Sequence, residues 1–165
     1  MVSDLDLDRV RHTGYYLQYV NDQTEEICLI AVRQNGMALQ HVKNQIEEIC
    51  IEAVKQDGFA LCYVKEQTRE ICFEAVRQND WALIYSNDQT EEICLEAVKQ
   101  NGSVLRYINN QTLEICIASI MNPSHRDMNH TYELYDPRRL DHINDREMRK
   151  ICEGIRFMKT KSAKK

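Results

Sequence analysis

Residues Gln23–Gly36 read QTEEICLIAVRQNG, and close copies of this stretch begin at Gln45, Gln67 and Gln89. A shortened copy, QTLEICIASIMNP, begins at Gln111. The period is 22 residues with no insertion. Ile27, Ile49, Ile71, Ile93 and Ile115 therefore fall into one column, and Cys28, Cys50, Cys72, Cys94 and Cys116 into the next. Upstream, HTGYYLQYVND (12–22) matches the second half of a unit, with Gly14 standing 22 residues before Gly36. The first half of that unit has drifted into the charged LDLDRVR (5–11), as a terminal, capping repeat does.

Each unit reads as two helical pieces. The first is expected over about Thr24 to Asn35. Thr24, Thr68, Thr90 and Thr112 can cap it by accepting a bond from a free backbone N–H. Glutamates follow in the first turn, where the helix dipole favours them. Ile46 breaks the cap column, so Asn44 or the loop would have to serve there. Gly36, Gly58 and Gly102 stand where a helix ends in a left-handed residue, with Asp80 as the costlier substitute. On a helical wheel, positions 27, 28, 29, 31 and 32 fill an apolar arc of roughly 200°, too wide for a helix covered on one side only. Positions 26, 30, 33 and 34 form a solvated face, on which Glu52–Lys55, Glu74–Arg77 and Glu96–Lys99 are expected as ion pairs.

The second piece, GMALQHVK in one copy and GFALCYVK in the next, fits two turns of helix through positions 38, 39, 41 and 42. Alternation at 37, 39 and 41 keeps a strand open as the other reading. A strand would bring the array close to leucine-rich repeats, but their L-x-x-L-x-L run is missing. No unit can bury its arc alone, so neighbours must cover it. The expected fold is all-α: an α-solenoid of about five 22-residue helix-turn-helix repeats, with an N-terminal half-repeat and a C-terminal capping helix. Right-handedness is taken by analogy. Residues 1–121 form the array. Residues 122–165 hold an irregular segment, a helix from about Asp141 to Lys159 and a basic, frayed end.

Charge divides in the same place. Residues 1–121 carry 10 Lys/Arg against 19 Asp/Glu, and residues 122–165 carry 11 against 7. An acidic array argues against nucleic acid as the partner, because phosphate binding needs a basic face. No apolar run reaches the roughly 18–20 residues that span a bilayer, so no membrane is expected. The polar start MVSDLDLDRVRH does not read as a secretory signal. Seven cysteines without such a signal read as reduced thiols in a cytoplasmic setting.

The cysteine column lacks the close pairs of a zinc site. Stacked helices would hold its members about 8–10 Å apart, beyond disulfide or shared-metal reach. These cysteines are expected to be buried packing residues, while Cys62 replaces a variable polar residue. The glutamine column, just before each helix, is expected to bond backbone groups of the adjoining unit, since an amide both donates and accepts. His125, His130 and His142, near Asp127, Asp136 and Asp141, match no ligand spacing and read as turn residues. No phosphate loop, nucleophile elbow or isolated acid/base pair is present in the sequence, so no catalytic residue, metal or cofactor is expected.

What remains is an aromatic stripe. Positions 37 and 41 of successive repeats read Tyr15/Tyr19, Met37/His41, Phe59/Tyr63, Trp81/Tyr85 and Ser103/Tyr107. Position 41 is expected to lean towards the core, whereas 37 could either pack between units or line a groove for a peptide. Tyr15, Met37, Phe59, Trp81, Tyr85 and Arg106 are the candidate residues for binding a protein partner.

The run QTEEICLEAVKQNG (89–102), with the ALxYV that follows Gly58 as ALCYV (60–64), resembles a short-repeat family of unknown function. That family occurs in giant DNA viruses of amoebae and in some amoeba-associated bacteria. The resemblance covers residues 14 to about 120. It implies helical repeats and a viral origin, with host cytoplasm or virion as the location, and it brings no catalytic residue. The reading is a non-enzymatic repeat scaffold for protein–protein interaction, set in a virus–host context. The alternative is a structural or self-assembling, virion-associated protein.

Overall fold

The structure, a computed structural model, describes residues 3–121, 146 and 149–154. Among them every regular element is helical. Two kinds of helix alternate along the chain. The α-helices are α1 (Asp4–His12), α2 (Glu25–Gln34), α3 (Glu47–Gln56), α4 (Arg69–Gln78), α5 (Glu91–Gln100) and α6 (Leu113–Met121). Between them lie five 3₁₀ helices, η1 (Gly14–Tyr19), η2 (Gly36–His41), η3 (Gly58–Tyr63), η4 (Asp80–Tyr85) and η5 (Gly102–Tyr107). The helical reading of the second piece holds, and the strand reading falls. The piece is wound more tightly than expected, however, at three residues per turn rather than 3.6. No described helix is long and apolar enough to cross a membrane.

The winding is explained by the columns. With three residues per turn, Gly36, Leu39 and Val42 share one face, and all three are buried. Ala38 is buried beside them, while Gln40 is left exposed. In the α-helices the buried set is Ile27, Cys28, Ala31 and Val32 and its copies, an arc narrower than the expected one because Leu29 is half-buried. The isoleucine column and Leu17, Leu39, Leu61, Leu83 and Leu105 are the largest side chains fully withdrawn from water. Burying each contributes on the order of 1.5–3 kcal/mol.

The chain divides into two compact units, Met1–Asp88 and Gln89–Lys165. In the first, α1 packs on α2, α2 on α3 and α3 on α4, while η1 packs on η2, η2 on η3 and η3 on η4. Repeats thus stack in two layers, one of α-helices and one of 3₁₀ helices. In the second unit α5 packs on α6, and η5 packs on both. Residues 149–154 are helical, inside the helix expected over 141–159. The rest of that segment and the irregular stretch with its histidines lie outside the described residues.

The caps follow the sequence in part. Thr24, Thr68, Thr90 and Thr112 accept from the N–H groups of Ile27, Ile71, Ile93 and Ile115 at 3.4–3.5 Å. At α3 the N-cap is Ile46 itself, with no side-chain bond, so Asn44 does not stand in. At the C-terminal ends the expected left-handed glycine is absent. Asn35 and Asp57 end α2 and α3 in extended backbone, at φ −153° and −147°. Gly36 and Gly58 then open the next helix without a positive φ. Their lack of a side chain serves a close approach instead: a Cβ on Gly36 would lie 2.4 Å from the Ala53 carbonyl oxygen of the following repeat. Asn35, Asp57, Asn79 and Asn101 cap the 3₁₀ helices, each accepting from the N–H two residues on. This column is written in the sequence, directly before Gly or Asp.

Two further details correct the solvated-face reading. Gln34, Gln56 and Gln78 accept, through Oε1, the N–H of Gly14, Gly36 and Gly58 in the preceding repeat, at 2.5–2.7 Å. Of the expected ion pairs, Glu74–Arg77 forms at 2.7 Å, whereas Glu52 pairs with Arg33 of the preceding repeat, also at 2.7 Å.

Candidate functional site

Each glutamine before an α-helix is a staple between repeats. Gln45 donates through Nε2 to the Leu39 carbonyl of the preceding repeat at 3.3 Å and to the Tyr63 carbonyl of its own repeat at 2.9 Å, while its Oε1 accepts from Lys65 N–H at 3.0 Å. Gln23 and Gln67 repeat this pattern in the first unit. Gln89 binds Tyr107 and Asn109 in the second. The thiols of Cys28, Cys50 and Cys72 donate weakly to the same glutamine oxygens, at 3.5–3.9 Å. All five column cysteines are buried and form no disulfide, and Cys62 is exposed. Burial pushes the Cys28 thiol up and the Cys50 thiol up to about 11, so neither supplies a thiolate near neutrality. The cysteines belong to the frame.

Clefts open along the loop edge of the first unit. One of about 530 Å³ is lined by Lys43, Gln45, Glu47, Cys50, Lys65 and Thr68 among others. A neighbour of about 290 Å³ shares Lys43 and Asn44 with it. Their cations are already engaged, Lys43 Nζ donating to the Asn21 carbonyl at 2.8 Å and Lys65 Nζ to the Lys43 carbonyl at 3.0 Å. These clefts are seams between loops, lined by both carboxylates and ammonium groups. Among the described residues no set of His, Cys, Asp and Glu is grouped to hold a metal ion.

The outward face of the 3₁₀ layer is different. Tight winding separates positions 37 and 41 by a third of a turn, so they do not stack within one element as α-helical spacing would require. Instead two of the 37-type residues meet the 41-type residue of the following repeat. Tyr15 and His41 make an edge-to-face pair with ring centroids 5.7 Å apart, and Phe59 and Tyr85 make another at 6.1 Å. These are favourable aromatic geometries, in which Tyr15, Phe59 and Tyr85 remain partly exposed and His41 is half-buried.

Of the six residues read from the sequence, Tyr15, Phe59, Tyr85 and Arg106 are exposed, and Met37 and Trp81 are half-buried. Tyr15, Met37, Phe59, Trp81 and Tyr85 lie on the 3₁₀ layer of the first unit, and Arg106 lies on η5 of the second. The expectation that position 41 leans into the core is overturned: Tyr19 is 66% exposed and Tyr85 44%, with Tyr63 and Tyr107 also exposed. Three residues per turn send 39 inward and leave 41 at the flank. That reading missed Tyr19 and Tyr63, because nothing in the residue types distinguishes a 3₁₀ from an α turn. Position 40 is exposed in every copy and differs in every copy but the first two: Gln18, Gln40, Cys62, Ile84 and Arg106.

A family model for a domain of unknown function, DUF4116, matches residues 7–47, 24–69, 46–89 and 68–113. Together these matches run through well over half of the sequence, and the last three begin 22 residues apart. The chain belongs to the DUF4116 family. No curated protein and no solved structure matches it. The overlapping DUF4116 matches follow the α/3₁₀ period, each taking in about two repeats, which is the least that covers one apolar arc.

Proposed function

We propose that this DUF4116 protein is a non-enzymatic scaffold that binds another protein through the outward face of its 3₁₀ layer. The observation that carries this reading is the row of exposed rings in the first unit, with Tyr15 set against His41 and Phe59 against Tyr85. Aromatic side chains dominate binding energy at protein interfaces, and they do so where a rigid frame holds them. Here the frame is repeated almost unchanged while position 40 varies, so identity is concentrated on the face that solvent reaches. Acidic character supports a protein in preference to nucleic acid as the partner. The resemblance of the repeat to those of giant amoebal viruses, read from its sequence, supports a host protein as that partner, met in the host cytoplasm.

The test is affinity capture from host-cell extract with the wild type and a Phe59→Ala/Tyr85→Ala double variant whose helical signal matches the wild type. A partner held by the wild type and lost by the variant is the expected result. Equal retention by both proteins would remove the aromatic face from the interaction.

A further inference from the structure

We propose that the partner segment is proline-rich and arginine-bearing, bound as a polyproline II helix along the 3₁₀ layer of the first unit. This rests on the docking-face reading above and adds the chemistry of what docks.

The first argument is register. A polyproline II helix repeats every three residues at 3.1 Å rise, about 9.3 Å per turn, and its prolines seat between aromatic rings. Packed helices of neighbouring repeats stand about 8–10 Å apart. One ligand turn per repeat therefore stays in step with the aromatic row. A β-strand presents like-facing side chains about 6.6–6.8 Å apart and loses step after one repeat.

The second argument is charge. Residues 1–88 carry 8 Lys/Arg against 15 Asp/Glu, and positions 37, 40 and 41 of that unit contain no Lys, Arg, Asp or Glu, so no cation on the face opposes the attraction of the unit as a whole. Asp57 stands at the start of η3 beside Phe59, accepting its N–H at 3.0 Å. A cationic ligand is attracted to such a unit and finds partly exposed rings for its guanidinium groups. The chain shows the contact itself, with Arg9 lying over the Tyr16 ring at 5.1 Å. Proline supplies rigid apolar contact at low ordering cost, and arginine supplies the charge-assisted part.

The experiment measures fluorescence anisotropy of labelled peptides titrated with the full chain. The probes are a peptide of Pro-Pro-Arg triplets, one of Gly-Ser-Arg triplets with the same length and charge, and an amphipathic Leu/Lys helix of the same charge. The expected result is binding of the proline peptide about tenfold tighter than the Gly-Ser-Arg peptide. Phe59→Ala, and separately Ile84→Arg at an exposed position, should weaken it about tenfold while each variant keeps the wild-type helical signal at the assay temperature. Equal binding of the two arginine peptides would overturn the proline inference in favour of charge alone. Binding of the helical peptide only, lost in Phe59→Ala, would overturn it while leaving the docking face intact. If no peptide binds, the proline inference falls, and the docking face stands or falls on the capture comparison.

Discussion

Gly36 shows how much of the array depends on a missing methyl group. Its N–H meets Gln56 Oε1 at 2.5 Å, and the Ala53 carbonyl oxygen lies where a Cβ would go. Gly58 faces Ala75 and Gln78 in the same way, with the Ala75 carbonyl oxygen 2.6 Å from where a Cβ would stand. Backbone cannot step aside as a flexible side chain can. Gly36→Ala should therefore destabilise the fold by about 1–3 kcal/mol, the usual cost of overpacking. Chemical denaturation of the variant measures this. An effect under about 0.5 kcal/mol, the range of ordinary surface changes, would mean that the repeats have slack at this contact. The glycine column was plain in the sequence, but its reason was not. A helix-ending left-handed turn and a close approach by the next repeat both select glycine, and only coordinates separate them.

At the scale of the element, the glutamine staple decides how one repeat is fixed to the next. Gln67 joins the Leu61 carbonyl of the preceding repeat to the Tyr85 carbonyl and Asn87 N–H of its own. This role was legible in advance, because a glutamine repeated before every α-helix has to satisfy backbone on both sides of a loop. Gln67→Leu keeps the approximate volume and removes three hydrogen bonds, each worth about 0.5–1.5 kcal/mol net. A loss of about 1–3 kcal/mol is expected once partial rescue by water is included. Amide hydrogen exchange gives the sharper reading. The Asn87 N–H should lose protection in the variant, while the Lys65 N–H, held by Gln45, should keep it. Unchanged exchange at Asn87 would sink the staple. Winding of the second element was not legible to the same degree. Its apolar columns fit an α turn nearly as well as a 3₁₀ turn, and the choice moves position 41 from the core to the surface.

For the molecule as a whole, the cysteine column links stability to alkaline pH. Burial raises the thiol of Cys50 from its ordinary 9.0 to about 11, and raises Cys28 and Cys152 in the same direction. The folded protein holds these protons more tightly than the unfolded chain does. Their contribution is complete below pH 9 and is lost as pH rises from 9 towards 11, where the unfolded thiols ionise first. The thermal midpoint should hold up to about pH 9 and then fall, and Cys50→Ala should reduce that fall. A flat profile through pH 11 would show that the thiols ionise without unfolding.

The sequence by itself determined the period, the all-α class, the buried isoleucine and leucine columns, the threonine caps and the stapling glutamines. Each follows from a local rule applied at a fixed spacing, and repetition multiplied a weak local signal into a firm one. Only the tertiary structure decided why glycine opens each 3₁₀ helix, that Gln34 and its copies bond the preceding repeat, and that Tyr19, Tyr63 and Tyr85 face solvent. These depend on which atoms a neighbouring repeat brings near, and on whether six residues wind at three or 3.6 per turn. Twenty-degree differences per residue leave no mark on composition, yet they sum over the element to decide which ring is open to a partner.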